Sequence, residues 1–155
     1  MNGFKSIPRF YLDTSVLGGV YDTEFEDYSG LLIRKLFQGE FMAVISEITQ
    51  KEILGAPQKV INLYTSLPKE NLEFVHVTQE SVRLAEAYIS ANVVRREKFN
   101  DCLHISLATI LGVDALISWN FKDIVNNKRI YGYNSVNFGL QYPAIKILSP
   151  QNILS

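Results

Sequence analysis

The 155-residue sequence predicts an α/β fold in which helices cover both faces of a parallel, doubly wound sheet. Short apolar runs of strand length alternate with longer segments that have the apolar spacing of a helix. Residues typical of helix caps and helix ends stand between these segments. Hydrophobic residues make up 47% of the chain and charged residues 20%, which is typical of a globular protein. The length fits a single domain spanning residues 1–155.

The first predicted strand is the apolar run at residues 9–12, which ends at Asp13. Residues 14–21 form a turn or a short helix. Residues 26–38 are predicted to be an amphipathic helix, and Gly39 marks its end. The apolar positions of this helix are Leu31, Leu32, Leu36 and Phe37.

A second strand is predicted at residues 41–45. Ser46 follows it as the N-cap of a helix that runs to about residue 54, because a serine oxygen can accept hydrogen bonds from the first free backbone N–H groups. A further helix is predicted over residues 58–67.

The second half of the chain repeats this alternation. Thr78 is expected to cap a helix at residues 80–91, and Asn100 is expected to cap one at residues 101–111. Residues 92–98 are polar and are predicted to be a loop. The remaining predicted elements are strands at 72–77, 115–118 and 144–148, a loop with a short helix at 119–127, and a final helical turn from Pro150.

Sheet topology gives the candidate site its position. In open parallel sheets, binding sites form at the carboxyl ends of the strands. Asp13 closes the first predicted strand and Ser118 closes the fourth. Both residues are therefore expected at the same edge of the sheet.

Three acidic residues form the candidate site, although each has an ordinary interpretation. Asp13 can be a turn former, Glu52 can lie on a solvated helix face, and Asp101 can stabilise a helix N-terminus. Carboxylates brought to one edge repel one another, and a divalent cation relieves that repulsion. Oxygen-only ligands favour Mg²⁺ or Mn²⁺. His104, three residues after Asp101, is predicted to be packed and hydrogen-bonded, and the alternative is a direct metal ligand or a general base.

Composition excludes several other classes of protein. A net charge of -1 excludes a uniformly basic nucleic-acid binder but allows a local basic patch. The single cysteine, Cys102, excludes an internal disulfide and a cysteine-based zinc site. No apolar run approaches the ~20 residues needed to span a bilayer, and a cytoplasmic protein is expected. Gly18 and Gly19 lack the spacing of a phosphate-binding loop.

Four short motifs in order carry a family resemblance. They are YLDTSVL at residues 11–17, SEITQKE at 46–52, NDCLHISLA at 100–108 and LISWN at 116–120. With these motifs the chain resembles the PIN-domain proteins, such as the VapC-type toxins of type II toxin–antitoxin systems. The resemblance implies an α/β/α sandwich and metal-dependent endoribonuclease activity. It also implies an RNA substrate, a small antitoxin partner and a homodimer.

Site roles follow from the resemblance residue by residue. Asp13, Glu52 and Asp101 correspond to the family's metal-binding, catalytic acids. Thr14 or Ser15 is expected to support the first acid, and Ser118 is the hydroxyl residue after the fourth strand. The family often has a fourth acid where this chain has Asn120, and Asp123 is the nearest substitute. The alternative is a catalytically weak or inactive PIN-like module that binds RNA or protein.

Basic and aromatic residues flank the predicted site. The cations predicted to contact RNA are Arg95, Arg96, Lys98 and Lys122, with Lys128 and Arg129 beside the last of them. The aromatic residues expected to stack on unpaired bases are Trp119, Phe121, Tyr131 and Tyr133. The alternative for both groups is structural, with solvated charges and core rings. The early helices, around residues 31–37 and 58–67, are candidates for the dimer face.

Overall fold

The fold is a five-stranded, all-parallel sheet covered by helices on both faces, as predicted from the sequence. The computed structural model describes residues 6–155, so residues 1–5 of the predicted domain lie outside the described residues. The strand order across the sheet is β3-β2-β1-β4-β5. The strands are β1 (Arg9–Leu12), β2 (Met42–Ser46), β3 (Leu72–Val75), β4 (Ala115–Ile117) and β5 (Ile147–Leu148).

Eight α-helices are found in the described part of the chain. They are α1 (Thr14–Gly19), α2 (Glu26–Phe37), α3 (Glu47–Leu54), α4 (Gln58–Ser66), α5 (Gln79–Ser90), α6 (Phe99–Leu111), α7 (Asn127–Gly139) and α8 (Pro150–Leu154). Two 3-10 turns, Lys69–Asn71 and Arg96–Lys98, precede β3 and α6. Most predicted helices agree with these bounds within two residues.

Side-chain caps explain why two of these helices start where the sequence predicts. Ser46 accepts hydrogen bonds from the backbone N–H groups of Ile48 and Thr49. Thr78 and Ser81 form a reciprocal capping box at the start of α5. The prediction for Asn100 is wrong, because α6 begins at Phe99 and Asn100 already lies in its first turn.

Helix α7 is the largest element that the sequence patterns miss. It has no continuous apolar stripe, and its fully buried positions are Tyr133 and Asn137. Gly132 allows its close approach to the chain after α5, because a Cβ there would lie 2.8 Å from a methyl group of Val93. Tertiary packing therefore decides this helix more than local pattern does.

Strand β1 lies at the centre of the sheet, between β2 and β4. Its side chains alternate between two cores. Tyr11 packs on the side of α5, α6 and α7, and Leu12 on the side of α1, α2 and α4. Because β1 is buried on both faces, Asp13 is delivered directly to the carboxyl edge of a rigid strand.

Among residues 6–155, no helix is both long enough and apolar enough to cross a bilayer.

Candidate active site

Asp13 lies at the carboxyl edge of the sheet and is tightly held there. Its backbone N–H donates to the carbonyl of Ile117 at 3.0 Å, which ties it to the end of β4. The residue is only 7% exposed. The Ser15 and Ser118 hydroxyls donate to Oδ2 at 2.7 Å and 2.8 Å. With Oδ2 fixed in this way, Oδ1 lies 3.7 Å from Nε2 of His104.

The two serines also fix the chain that leaves β4. The Trp119 backbone N–H donates to Ser15 Oγ, and the Asn120 N–H donates to Ser118 Oγ, both at 2.9 Å. The structure thus places Ser15 and Ser118 where the sequence predicts them, beside the first acid. Thr14 instead contacts Glu52, since its hydroxyl donates to Glu52 Oε1 at 2.7 Å.

Glu52 reaches the same edge from α3 and meets a buried histidine. His104 is fully buried, and its Nε2 lies 2.9 Å from Glu52 Oε1. Its Nδ1 lies 2.6 Å from the Tyr11 hydroxyl, which also contacts Ser46 Oγ at 2.7 Å. The prediction of a packed, hydrogen-bonded His104 is confirmed. A chain of polar contacts therefore runs from the cap of α3, through β1 and α6, to Glu52.

Within this series of polar contacts, the neighbouring charges favour the ionised forms of His104 and Glu52. Burial opposes the charge on His104, but Tyr11 and the carboxylates of Glu52 and Asp13 outweigh it and raise the pKa of His104 well above its usual value. Burial would likewise raise the pKa of Glu52, but the hydrogen bond and charge of His104 hold it below its ordinary value, with help from Thr14. His104 therefore acts as a buried counter-charge for two acids.

Asp101 lies in the first turn of α6, where the negative charges of Asp13, Glu52 and Asp123 affect its pKa. Burial, followed by the negative charge of Asp13, is the main cause that raises the pKa of Asp101 to about 6. His104 opposes this shift, while Asp123 and Glu52 add smaller contributions to it. A carboxyl group shifted this far by desolvation and like charges is typical of a functional site.

In the loop after β4, Asn120 and Asp123 have different structural roles. Asn120 Oδ1 accepts the backbone N–H groups of Lys122 and Asp123 at 3.2 Å and 3.0 Å, so this amide oxygen holds the loop. Asp123 is 4% exposed and lies 3.3 Å from the ammonium of Lys98. The Tyr133 hydroxyl donates to the Asp123 carbonyl at 2.8 Å. The loop thus brings a buried carboxylate, rather than the Asn120 amide, toward Asp101.

Three of these side chains are close enough to share a cation. One ligand atom each from Asp13, Glu52 and His104 lies within 4.8 Å of the other two. The two carboxylates suit a hard divalent cation. Both ring nitrogens of His104 already have a hydrogen-bond partner, Tyr11 for Nδ1 and Glu52 for Nε2, which suits a residue that holds the carboxylates in place.

A basic groove adjoins the acidic residues. It has a volume of about 370 Å³, and two carboxylates, Glu97 and Asp123, are part of its lining. The cations that line it are Arg95, Lys98, Lys122 and Arg129. Arg96 points elsewhere and forms two 3.2 Å hydrogen bonds with the carboxylate of Glu86.

The four predicted stacking aromatics divide into two pairs. Trp119 and Tyr133 are only 6% and 0% exposed, so the prediction that they stack on bases is wrong. Their rings are needed in the core. Phe121 and Tyr131 are 50% and 77% exposed and remain accessible.

The contact of Tyr11 with His104 is a feature that the sequence patterns miss. A tyrosine in an otherwise apolar central strand is the available signal, because a buried hydroxyl needs a polar partner. That partner comes from α6, 93 residues away, and its identity depends on the packing of the helix on the sheet.

We expect Tyr11→Phe to destabilise the protein by about 1–3 kcal/mol, because it leaves His104 Nδ1 and Ser46 Oγ buried without their shared partner. Urea unfolding followed by circular dichroism measures the loss. Tyr131→Phe removes the same hydroxyl from a 77% exposed ring and should change stability by less than about 0.5 kcal/mol. Equal effects of the two substitutions would contradict this role of the Tyr11 hydroxyl.

The parallel sheet, the two helical layers and the acidic edge define the class of this fold as PIN-like α/β/α. No family model matches the sequence, and no curated protein matches it significantly. Among solved structures, one chain of VapBC2 from Rickettsia felis, solved bound to a DNA fragment from its promoter, is similar to this chain. The TM-score is 0.56 at 14% sequence identity, and the match covers 91% of this chain and 98% of that one. A chain of a toxin–antitoxin complex from Klebsiella pneumoniae gives 0.54 at 17% identity, over 73% and 88%. The fold is therefore similar to that of proteins in toxin–antitoxin complexes.

Proposed function

We propose that this protein is a metal-dependent endoribonuclease that hydrolyses RNA phosphodiester bonds, and that it is the toxin of a type II toxin–antitoxin system. The observation that carries the proposal is the position of Asp13 and Glu52 at one edge of the sheet, where one ligand atom from each of these carboxylates and from His104 lies within 4.8 Å of the other two. Beside them, burial and then the negative charges of Asp13, Asp123 and Glu52 raise the pKa of Asp101 to about 6. A fold keeps such repulsion when a cation is needed at that position.

Mg²⁺ or Mn²⁺ fits the donors that are present. Asp13 and Asp101 are the proposed direct ligands. Glu52, which has a ligand atom within 4.8 Å of one of Asp13, is proposed for direct or water-mediated contact. When bound, such a cation supplies Lewis-acid stabilisation of a phosphate oxygen and lowers the pKa of a coordinated water. The hydroxyls of Ser15 and Ser118 fix the orientation of the Asp13 carboxylate, which supports its role as a ligand.

The remaining polar residues position these carboxylates and the substrate. His104 and Thr14 hold Oε1 of Glu52 from two sides, which leaves its other oxygen free to orient a water. Asp123 takes the place of the fourth acid in this proposal, and Asn120 supports its loop. The cations of the groove hold RNA phosphates next to the acidic edge.

Incubation of the purified chain with RNA tests the proposal directly. We expect cleavage with millimolar Mg²⁺ or Mn²⁺ and none with EDTA, followed on denaturing gels. RNA binding without cleavage under both conditions would favour the alternative, a PIN-like binding module.

Removal of a groove cation should weaken RNA binding without abolishing the chemical step. For Arg95→Ala we expect a higher KM, a nearly unchanged kcat, and a salt dependence of log K that is shallower by about 1. Titration of labelled RNA at several salt concentrations measures this slope. Arg96→Ala is the matched comparison, because Arg96 is paired with Glu86 outside the groove and should change the slope less. A larger effect of Arg96→Ala than of Arg95→Ala would mean that RNA contacts the surface around Arg96 and Glu86 instead of the groove.

Partners and assembly belong to the same proposal. The similarity to toxin–antitoxin complexes supports a small antitoxin protein as a partner, and an RNA substrate and the reduced Cys102 suit the cytoplasm. A homodimer is proposed through the early helices, where Leu31 and Phe37 are 36% and 48% exposed. Light scattering of the purified chain, compared with Phe37→Glu, tests whether this face forms the dimer.

A further inference from the structure

We propose that Lys98 is an internal counter-ion of the acidic edge, which neutralises Asp123 and thereby limits the protein to one divalent cation, bound by Asp13 and Asp101. This inference rests on the proposed function for the metal and goes beyond it by specifying how many ions are bound. In two-metal nuclease sites the cations lie about 3.5–4 Å apart. A second cation here would therefore need further oxygen ligands beside Asp101.

Two side chains of the loop after β4 could supply those oxygens, and both are already engaged. Asn120 Oδ1 accepts the backbone N–H groups of Lys122 and Asp123 at 3.2 Å and 3.0 Å. The Lys98 ammonium nitrogen lies 3.3 Å from Asp123 Oδ2. The amide oxygen therefore caps the loop, and the carboxylate has a positive partner within the protein.

The Lys98–Asp123 ion pair distinguishes Asp123 from the other acids of the edge. Among residues 6–155, Asp13, Glu52 and Asp101 form no ion pair with a lysine or an arginine. Burial and the charges of neighbouring acids raise the pKa of Asp101, so a cation bound at this carboxyl group relieves an unfavourable environment. One ion at Asp13 and Asp101 thus acts where Lys98 makes no contact.

Both members of the ion pair are attached to fixed backbone. Lys98 directly precedes α6, which carries Asp101 in its first turn, and the Lys98 N–H donates to the Arg95 carbonyl at 2.9 Å. The Asp123 carbonyl accepts the Tyr133 hydroxyl at 2.8 Å. Asp123 is only 4% exposed, so movement of Lys98 away from it would leave a buried carboxylate without a partner, which is costly.

The Lys98 ammonium and a second metal ion exclude one another. An ion on Asp123 Oδ2, at the ~2.1 Å typical of Mg²⁺–oxygen bonds, would lie less than about 6 Å from the Lys98 nitrogen. Two positive charges repel at this distance, and burial strengthens the repulsion. Lys98 therefore neutralises the charge that a second ion would neutralise. The other cations of the groove, Arg95, Lys122 and Arg129, remain for RNA phosphates.

Equilibrium dialysis against millimolar Mn²⁺, with the bound metal counted by atomic absorption, tests this inference. We expect one Mn²⁺ per chain in the unmodified protein and two in Lys98→Met, because methionine keeps an unbranched apolar chain and removes the charge. Lys98→Arg should keep one. Lys122→Met is the matched control, because it removes a lysine charge from the same groove without removing the partner of Asp123, and it should keep one.

Asp123→Asn in the Lys98→Met protein should return the count to one, because the second ion loses its carboxylate. If Lys98→Met does not fold, Lys98→Gln replaces it, since an amide can donate a hydrogen bond to Asp123 but carries no charge. A Lys98→Met protein that binds no more Mn²⁺ than the unmodified protein would overturn the inference. A second ion that remains after Asp123→Asn would also overturn it.

Metal counts and RNA cleavage remain separable in this design. Cleavage by an unmodified protein that already binds two Mn²⁺ ions would overturn the role of Lys98 and leave the nuclease proposal standing. One ion in the unmodified protein and two in Lys98→Met, without RNA cleavage, would do the reverse. An unchanged Mn²⁺ count in Lys98→Met, together with weaker RNA binding in EDTA, would assign Lys98 to RNA contact instead.

Discussion

Asp13→Asn is expected to abolish metal-dependent RNA cleavage, with kcat reduced by more than about 100-fold. This exceeds the 10–100-fold cost that is typical of losing a residue that only orients a metal ligand. Asparagine keeps the shape of the side chain and an oxygen for the Ser15 and Ser118 hydroxyls, but it removes the negative charge. Calorimetric titration with Mn²⁺ and a gel-based cleavage assay measure the two losses.

Asp114→Asn is the matched control for this substitution. Asp114 is exposed and lies just before β4, at the amino end of the same sheet, where its Oδ2 accepts the backbone N–H of Arg9. Asparagine can still accept that bond, so metal binding and cleavage should stay within about twofold of the unmodified protein. If Asp13→Asn retained both Mn²⁺ binding and cleavage, the proposed nuclease function would be rejected.

Local sequence patterns predict the central sheet well because its strands are buried on both faces. Such strands are continuous apolar runs, and residues 9–12 are a strand with the predicted bounds. Ser46 and Thr78 mark helix starts because capping is a local interaction within three residues. The position of Asp13 at the carboxyl edge could also be predicted, because Asp13 directly follows a strand that the sequence pattern identifies.

Interactions between distant segments explain what the sequence does not reveal. Nothing local to Glu47 predicts that its carboxylate accepts the N–H of Val77, which lies beyond the end of β3. Asn120 could be identified as a departure from the family's acid, but its use as a loop cap appears only once the backbone after β4 is fixed. The loop conformation, rather than the residue two positions after Ser118, therefore determines which side chain lies near enough to Asp101 to raise its pKa.

The predicted basic cluster divides for a similar reason. Arg95 and Arg96 are adjacent in sequence, yet Arg95 lines the groove and Arg96 pairs with Glu86 on α5. Neighbouring residues at the start of a 3-10 turn point in different directions, and charge content alone cannot separate them. The structure thus separates the two arginines, and the RNA titration of Arg95→Ala and Arg96→Ala tests whether they differ in RNA binding.

Asp101→Asn should stabilise the protein when no divalent metal is present, even though Asp101 is a proposed ligand. The folded state raises the pKa of Asp101 from 3.8 to about 6, so its ionised form is less favourable in the folded chain than in the unfolded one. Between about pH 4 and pH 6 the folded state binds more protons than the unfolded state, and the unfolding free energy falls as the pH rises. Above about pH 6 the penalty is complete, on the order of 1–3 kcal/mol.

Thermal unfolding in EDTA at several pH values measures this effect. At pH 7.5 we expect Asp101→Asn to raise Tm by several degrees, because 1 kcal/mol corresponds to about 2–4 °C in a chain of this size. The difference should shrink as the pH falls from 6 to 4, where the carboxyl group of the unmodified protein is protonated. Added Mn²⁺ should stabilise the unmodified protein more than Asp101→Asn, since a cation bound to the folded state relieves the same repulsion.

Asp27→Asn separates this repulsion from the ordinary behaviour of an acid near a helix start. Asp27 lies exposed in the first turn of α2, as Asp101 lies in the first turn of α6. Its replacement removes a favourable interaction with the helix dipole and should lower stability slightly, by about 0.3–1 kcal/mol. Opposite signs for the two substitutions are expected from a site that keeps its acids together for a cation. Destabilisation by Asp101→Asn at pH 7.5 would show that the carboxylate of Asp101 stabilises the fold like any helix-start acid. A gain that persists at pH 4 would show that it does not arise from removal of the negative charge.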